Sequence, residues 1–179
     1  GLTISNGKVT GGISNDGGGI YNAGNLTLSN AVLSGNSASG GLETRGGGIY
    51  SLGDVSILNS SLSENTANGG TSINFGGSIF HEASLVVSNS RLTENSVSGG
   101  SDNYGGAIFG GGNMAITSST FSGNSASGGG SNIGGGVFIT GGTVTVEGST
   151  ISGNSATGGG SNLGGGFYNA GNLTVTNST

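Results

Sequence analysis

Glycine pairs beginning at Gly17, Gly46, Gly76, Gly105, Gly134 and Gly164 follow one another at intervals of 29 or 30 residues, and the residues between them hold their chemistry column by column. A fixed period of this length is the mark of a repeat architecture, in which each unit is one small supersecondary element completed by its neighbours. After each pair comes an aliphatic and then an aromatic residue: Ile20-Tyr21, Ile49-Tyr50, Ile79-Phe80, Ile108-Phe109 and Val137-Phe138, with Phe167-Tyr168 aromatic at both places. A short polar turn such as NAGN leads to an alternating segment with apolar members Leu26 and Leu28, Val55 and Ile57, Leu85 and Val87, Met114 and Ile116, Val144 and Val146, Leu173 and Val175. Alternation of period two predicts a strand. A third segment carries one large apolar residue (Leu33, Leu62, Leu92, Phe121, Ile151), then an asparagine three places on (Asn36, Asn65, Asn95, Asn124, Asn154), then a small residue (Ala38, Ala67, Val97, Ala126, Ala156). A Gly- and Ser-rich stretch of seven to eight residues returns to the next pair.

Three short strands cannot bury a face alone. Stacked in register, with every column resting on its own copy, they can. The predicted fold is therefore all-β: a single-stranded parallel β-helix of about six coils, 29 or 30 residues and three strands per coil, continuous over residues 1–179. Residues 1–16 form a partial first coil, full coils start at 17, 46, 76, 105 and 134, and residues 164–179 form a partial last one. Stacked strands would place equivalent residues about 4.8 Å apart along the axis.

Composition alone points elsewhere. With 44 glycines in 179 residues and no proline, the chain has the profile of a disordered low-complexity segment. The regular spacing of its few apolar residues overrides that reading. Glycine suits corners that need positive φ, and asparagine both tolerates that region and can bond amide to amide along a stack. No 3.6-residue pattern supports a helix, a propeller blade needs a longer unit, and the glycines lack the every-third spacing of collagen.

Lys8, Arg45 and Arg91 are the only basic residues against eight acids, for a net charge of −5. Three scattered cations cannot supply the footprint that phosphate backbones require, which excludes nucleic acid as a partner. No apolar run reaches the roughly 18 residues of a membrane-spanning helix. The absence of cysteine says little about redox compartment.

The pairing of GGAI at Gly105–Ile108 with FSGN at Phe121–Asn124 resembles the GGA(I/L/V) and FxxN motifs of the chlamydial polymorphic outer membrane protein repeats. Looser forms recur in the other units over residues 17–179, as GGGI with LSGN or LSEN, GGSI with LTEN and GGGV with ISGN. The resemblance implies a right-handed parallel β-helix in an exported bacterial surface protein, often the passenger of an autotransporter and often an adhesin. The cysteines common in chlamydial members are missing from these residues. Neither end shows a cap, and bare end coils expose strand edges that natural proteins avoid. A fragment of a longer β-helix is expected, or a subunit whose ends meet a neighbour.

Candidate sites are few. The aromatic column Tyr21, Tyr50, Phe80, Phe109, Phe138, Tyr168 directly follows an aliphatic one, so one of the two columns must face out of the coil. Phe75, Tyr104, Ile133 and Leu163, just before the glycine pairs, are placed to cover it; otherwise it is an exposed stripe for lateral association or sugar stacking. Glu64 and Glu94 share a column near Arg91 and form the best carboxylate pair, at a turn expected to be solvated. His81, the single histidine, reads as a surface turn residue. No second His and no Cys exists to complete a zinc site. Asp16, Asp54 and Asp102 with Asn103 lie in different loops and lack the calcium-binding nonapeptide pattern. The GGGSNIGGG and GGGSNLGGG runs are loops rather than phosphate cradles. Outward Thr27, Ser29, Thr145, Thr174 and Thr176 suggest an ice-binding array, interrupted by Leu58, Val86, Ala115 and Glu147.

These readings predict a non-enzymatic extracellular or cell-surface element, a stalk, passenger or fibre segment, with no cofactor, no metal and no membrane insertion in this segment. The structural asparagines are Asn36, Asn65, Asn95, Asn124 and Asn154. Its partners would be further coils of the same chain or copies of itself, end to end or side by side, and host or environmental glycans or proteins. A carbohydrate-binding or polysaccharide-cleaving β-helix is the alternative, and an ice-binding solenoid the lesser one.

Overall fold

Each coil turns inward the apolar members of its alternating segments and lays them on the equivalent residues of the next coil. In the computed structural model, which describes residues 1–179, thirty short strands form five parallel sheets of six strands each, and there is no helix. In chain order the first coil supplies one strand to each sheet: Thr3–Ser5 to sheet A, Lys8–Thr10 to B, Ser14–Asp16 to C, Ile20–Asn22 to D and Leu26–Ser29 to E. Pairing is in register, with Ile57 between Leu28 and Val87 and Leu62 between Leu33 and Leu92. The chain is a β-solenoid of about six turns.

Five strand columns replace the three expected. The Gly- and Ser-rich return stretch is not a loop. It holds a three-residue strand, such as Glu43–Arg45 in sheet C, and the third segment divides at its asparagine into two, such as Val32–Ser34 in sheet A and Ser37–Ser39 in sheet B. Short side chains hide these strands from a pattern search, yet backbone pairing with the coils on either side needs no apolar run. Of 121 main-chain hydrogen bonds, 64 fall outside the strand ladders, so the corners too are bonded coil to coil.

Ile49, Ile57, Leu62, Ile79, Val87, Leu92, Ile108, Ile116 and Phe121 are fully buried in one core running along the axis. Ala67, Val97 and Ala126 of sheet B form a small separate cluster. The glycine pair answers two different demands at the corner between sheets C and D. The first member, Gly46 for example, has φ of 60°, a conformation that carries little cost only for glycine. The second, Gly47, has no such φ. A Cβ there would run into the main chain of Thr66 and the Gly77 carbonyl of the next coil.

Candidate functional site

Two polar ladders close the coil interior. At the corner between sheets A and B, Asn36, Asn65, Asn95, Asn124 and Asn154 stack side chain to side chain, each Nδ2 donating to the Oδ1 of the next at 2.8 to 3.0 Å. The second Nδ2 proton goes to a main-chain carbonyl of the preceding coil, as from Asn95 to Leu62. Each of Asn65, Asn95, Asn124 and Asn154 also accepts from the main-chain N–H of its predecessor in the stack. The amide capacity of Asn65, Asn95 and Asn124 is thus fully used. These asparagines do not adopt the left-handed conformation expected of them. The residue before each does: Gly35, Glu64, Glu94, Gly123 and Gly153, with φ between 55° and 66°.

The sequence reading missed the second ladder. Asn15, Thr44, Asn74, Asn103, Asn132 and Asn162 are the inward residues of sheet C. Asn74 donates to Asn103, Asn103 to Asn132 and Asn132 to Asn162 at 2.9 to 3.1 Å, and Thr44 donates its hydroxyl to Asn74. A third repeated device sits between sheets E and A, where Ser60, Ser90, Ser119 and Ser149 each accept a main-chain N–H from the neighbouring coil and donate to the carbonyl two residues back.

The aromatic column of sheet D faces outward. Its six rings, Tyr21, Tyr50, Phe80, Phe109, Phe138 and Tyr168, form one continuous stack with centroids 4.9 to 5.3 Å apart and planes within 29° of parallel. It is a bare stripe only at one end: Tyr21 is 59% exposed, whereas Tyr50 and Phe80 are 6% and 8%. The outward residues of sheet C cover the middle. Phe75 sets its ring edgewise against Phe80 and Phe109, and Tyr104 stacks on Phe138. The Arg45 guanidinium lies 5.9 Å over Phe80, held by ion pairs to Asp16 at 3.7 Å and to Glu43.

Partial burial shapes the charges here. It raises the Asp16 carboxyl above its ordinary value, although Arg45 pulls the other way and Glu43 adds to the rise. It also opposes the charge on Arg45, but Asp16 and Glu43 outweigh it and keep the guanidinium firmly protonated. Burial raises the Tyr50 phenol, with Glu82 adding to the effect, and raises that of Tyr104 with help from Asp102. Both hydroxyls are neutral at neutral pH.

Each ring inside the stack spends both faces on its neighbours and turns only its edge outward, whereas Tyr21 and Tyr168 at the ends each stack on one side alone. A sugar packs on a ring face, so the interior of this column offers no carbohydrate platform.

The chemically reactive candidates are scattered. Glu64 and Glu94 lie exposed at their left-handed corner, and Arg91 pairs with neither, since the two ion pairs of the molecule both belong to Arg45. No group of three His, Asp or Glu side chains converges; Asp54 accepts the Ser84 N–H, and Asn103 belongs to the second ladder. His81 is not the surface residue expected. It is the third residue of its strand, turned inward like Ile79, and fully buried.

The most regular hydroxyl surface lies on sheets A and B rather than E. Ser5, Ser34, Ser63, Thr93, Ser122 and Ser152 form one unbroken outward row, and Ser37, Thr66, Ser96, Ser125 and Ser155 another beside it. Fold and surface together define a β-solenoid repeat protein. Compared with known proteins, the chain matches no family model, no curated protein and no solved structure.

Proposed function

We propose that this chain is a non-enzymatic structural or adhesive segment of an extracellular or cell-surface protein, a β-solenoid that spaces and displays surface. One observation carries the reading: the polar groups turned into the coil are almost all spent on the coil above or below, in two amide ladders and one serine ladder, and converge on no reacting centre. Such an interior serves cohesion along an axis. The low charge and Gly- and Ser-rich exterior suit exposure to a variable medium, and the repeat motifs resemble those of exported bacterial passengers. Further coils of the same chain, or a second copy, are the natural continuation of the stack.

The purified protein should release no reducing ends from a panel of soluble and insoluble polysaccharides; cleavage of any one of them would refute the reading in favour of a carbohydrate-active β-helix. Electron microscopy at high concentration addresses self-association, and strictly monomeric particles would remove the fibre element from the proposal. A second reading, attachment to an ordered-water surface, is supported by the two adjacent hydroxyl rows on sheets A and B. Thermal hysteresis tests it, and no hysteresis at millimolar protein would discard it.

A further inference from the structure

His81 is the one ionisable side chain inside the coil, and its surroundings suit only the neutral imidazole. Its neighbours in the inward column of sheet D are Ser51 in one adjacent coil and Gly110 in the other. Nδ1 lies 2.8 Å from the Ala83 carbonyl. A carbonyl only accepts, so Nδ1 bears the proton and Nε2 the bare lone pair. That Nε2 is buried without a hydrogen-bond partner. The ring stands over Gly110, where even a methyl group would collide with Nε2 and the carbons flanking it. Imidazole and glycine thus fit as knob and hole across two successive coils.

We infer that His81 is an acid-sensitive latch, whose protonation loosens the seam between the strands Ile79–His81 and Ile108–Gly110. A proton on Nε2 creates a charged donor with no acceptor, in a dry interior that cannot solvate it. No opposite charge stands nearby to compensate. On the paired strands, Tyr50 points outward and Ile108–Gly110 carries no titratable group. Glu82 and Asp54 are exposed, and Arg45 sits outside the coil over Phe80. The inward residues of the other sheets are aliphatic side chains, Met114, Phe121, Asn, Ser and Thr, none of them charged. The same two strands carry Phe80 and Phe109 on their outer face, so opening the seam also parts the middle of the ring stack.

The direction follows from linkage. Burial lowers the folded imidazole below its ordinary 6.5, with the Ala83 carbonyl pulling weakly the other way. Above that value both states are neutral and His81 adds no pH dependence to stability. As pH falls below it the unfolded chain takes up a proton that the folded chain refuses, and stability is lost until the folded group also protonates. Asp16 acts with the opposite sign. Its raised value makes the folded carboxyl bind the proton first, so acid favours the fold through that group, in the lower window above 3.8.

Denaturant unfolding of the whole chain from pH 7.5 to 5, beside His81→Asn, tests the latch, because Asn occupies this column at Asn22 and Asn169. The unfolding constant of the native chain should rise up to about tenfold per pH unit below 6.5 relative to the variant. Parallel pH profiles, within twofold of one another, would overturn the inference. Should the variant fail to fold, the imidazole resonances of the native chain decide: titration at or above 6.5 refutes the latch, and an imidazole still neutral at pH 5.5 supports it.

Discussion

The two asparagine ladders look alike end on and are built differently. In the first, at the corner between sheets A and B, each internal amide binds four groups: the amide before it, the amide after it, a main-chain carbonyl and a main-chain N–H. In the second, inside sheet C, the amides also bind one another, but the remaining contacts go to the corner between sheets B and C, as from Asn74 to the Ser98 carbonyl and between Asn103 and Gly100. The second stack is also cut. Thr44 replaces an amide, and Asn15 turns to the Gly40 carbonyl instead of to its neighbour above. The first ladder binds coil to coil through side chain and backbone together. The second mainly pins a glycine corner and accepts a substitution.

That difference predicts unequal costs. Asn95→Ala takes the acceptor from the Asn65 N–H and from one Asn65 Nδ2 proton, and a donor from the Leu62 carbonyl and from Asn124, in a dry interior, and should cost about 3 kcal/mol, the upper end for an unpaired buried group. Asn103→Ala removes the acceptor of Asn74 but leaves corner groups with weaker bonds of 3.3 Å, and about 2 kcal/mol is expected. Both are read from denaturant midpoints at constant slope. Equal costs, or a larger one at Asn103, would break the comparison.

The same contrast explains what could be read before the fold was known. The first ladder was legible because its asparagine follows a large apolar residue by three places in five successive units, a local pattern that needs no structure. The second lies in stretches such as GGTSINF and GGSDNY, where glycine and serine dominate and the composition signals a loop. Its period was nevertheless present: Asn74, Asn103, Asn132 and Asn162 recur at 29 or 30 residues. His81 was harder. Its column reads Asn22, Ser51, His81, Gly110, Ile139, Asn169, with no shared chemistry, and only counting in from Ile79 by the alternation of a strand places it inside. Coverage of the aromatic stack was proposed for Phe75 and Tyr104, but the part of Arg45 depends on the ion pairs that hold it over Phe80, which no column pattern conveys.

Corner conformation sharpens the comparison from the other side. Glu94 holds φ of 56° immediately before Asn95, where the corresponding residues of other coils are Glu64, with φ of 55°, and the glycines Gly35, Gly123 and Gly153. A side chain in that region costs roughly 1 kcal/mol or more. Glu94→Gly should therefore raise stability by about 1 kcal/mol, less the entropy that glycine adds to the unfolded chain. No gain in melting temperature would mean that the first ladder is not limited by its corner.

The smallest expected effect is also the most direct test of why the second ladder is cut. Thr44 donates its single hydroxyl proton to Asn74, and Asn15 sends its Nδ2 protons to the Gly12 and Gly40 carbonyls rather than to the Thr44 oxygen. Thr44→Asn supplies two donors and a carbonyl oxygen in register with both neighbours, and one added buried hydrogen bond contributes about 1 kcal/mol. Against it stands the loss of a β-branched residue from a strand, on a scale that spans about 1 kcal/mol in all. The net gain should be near 0.5 kcal/mol by these two opposing effects, a shift of a degree or two in melting temperature. A loss of 1 kcal/mol or more would instead show that Thr44 is there for its shape, and that the break at this coil is part of how sheet C packs.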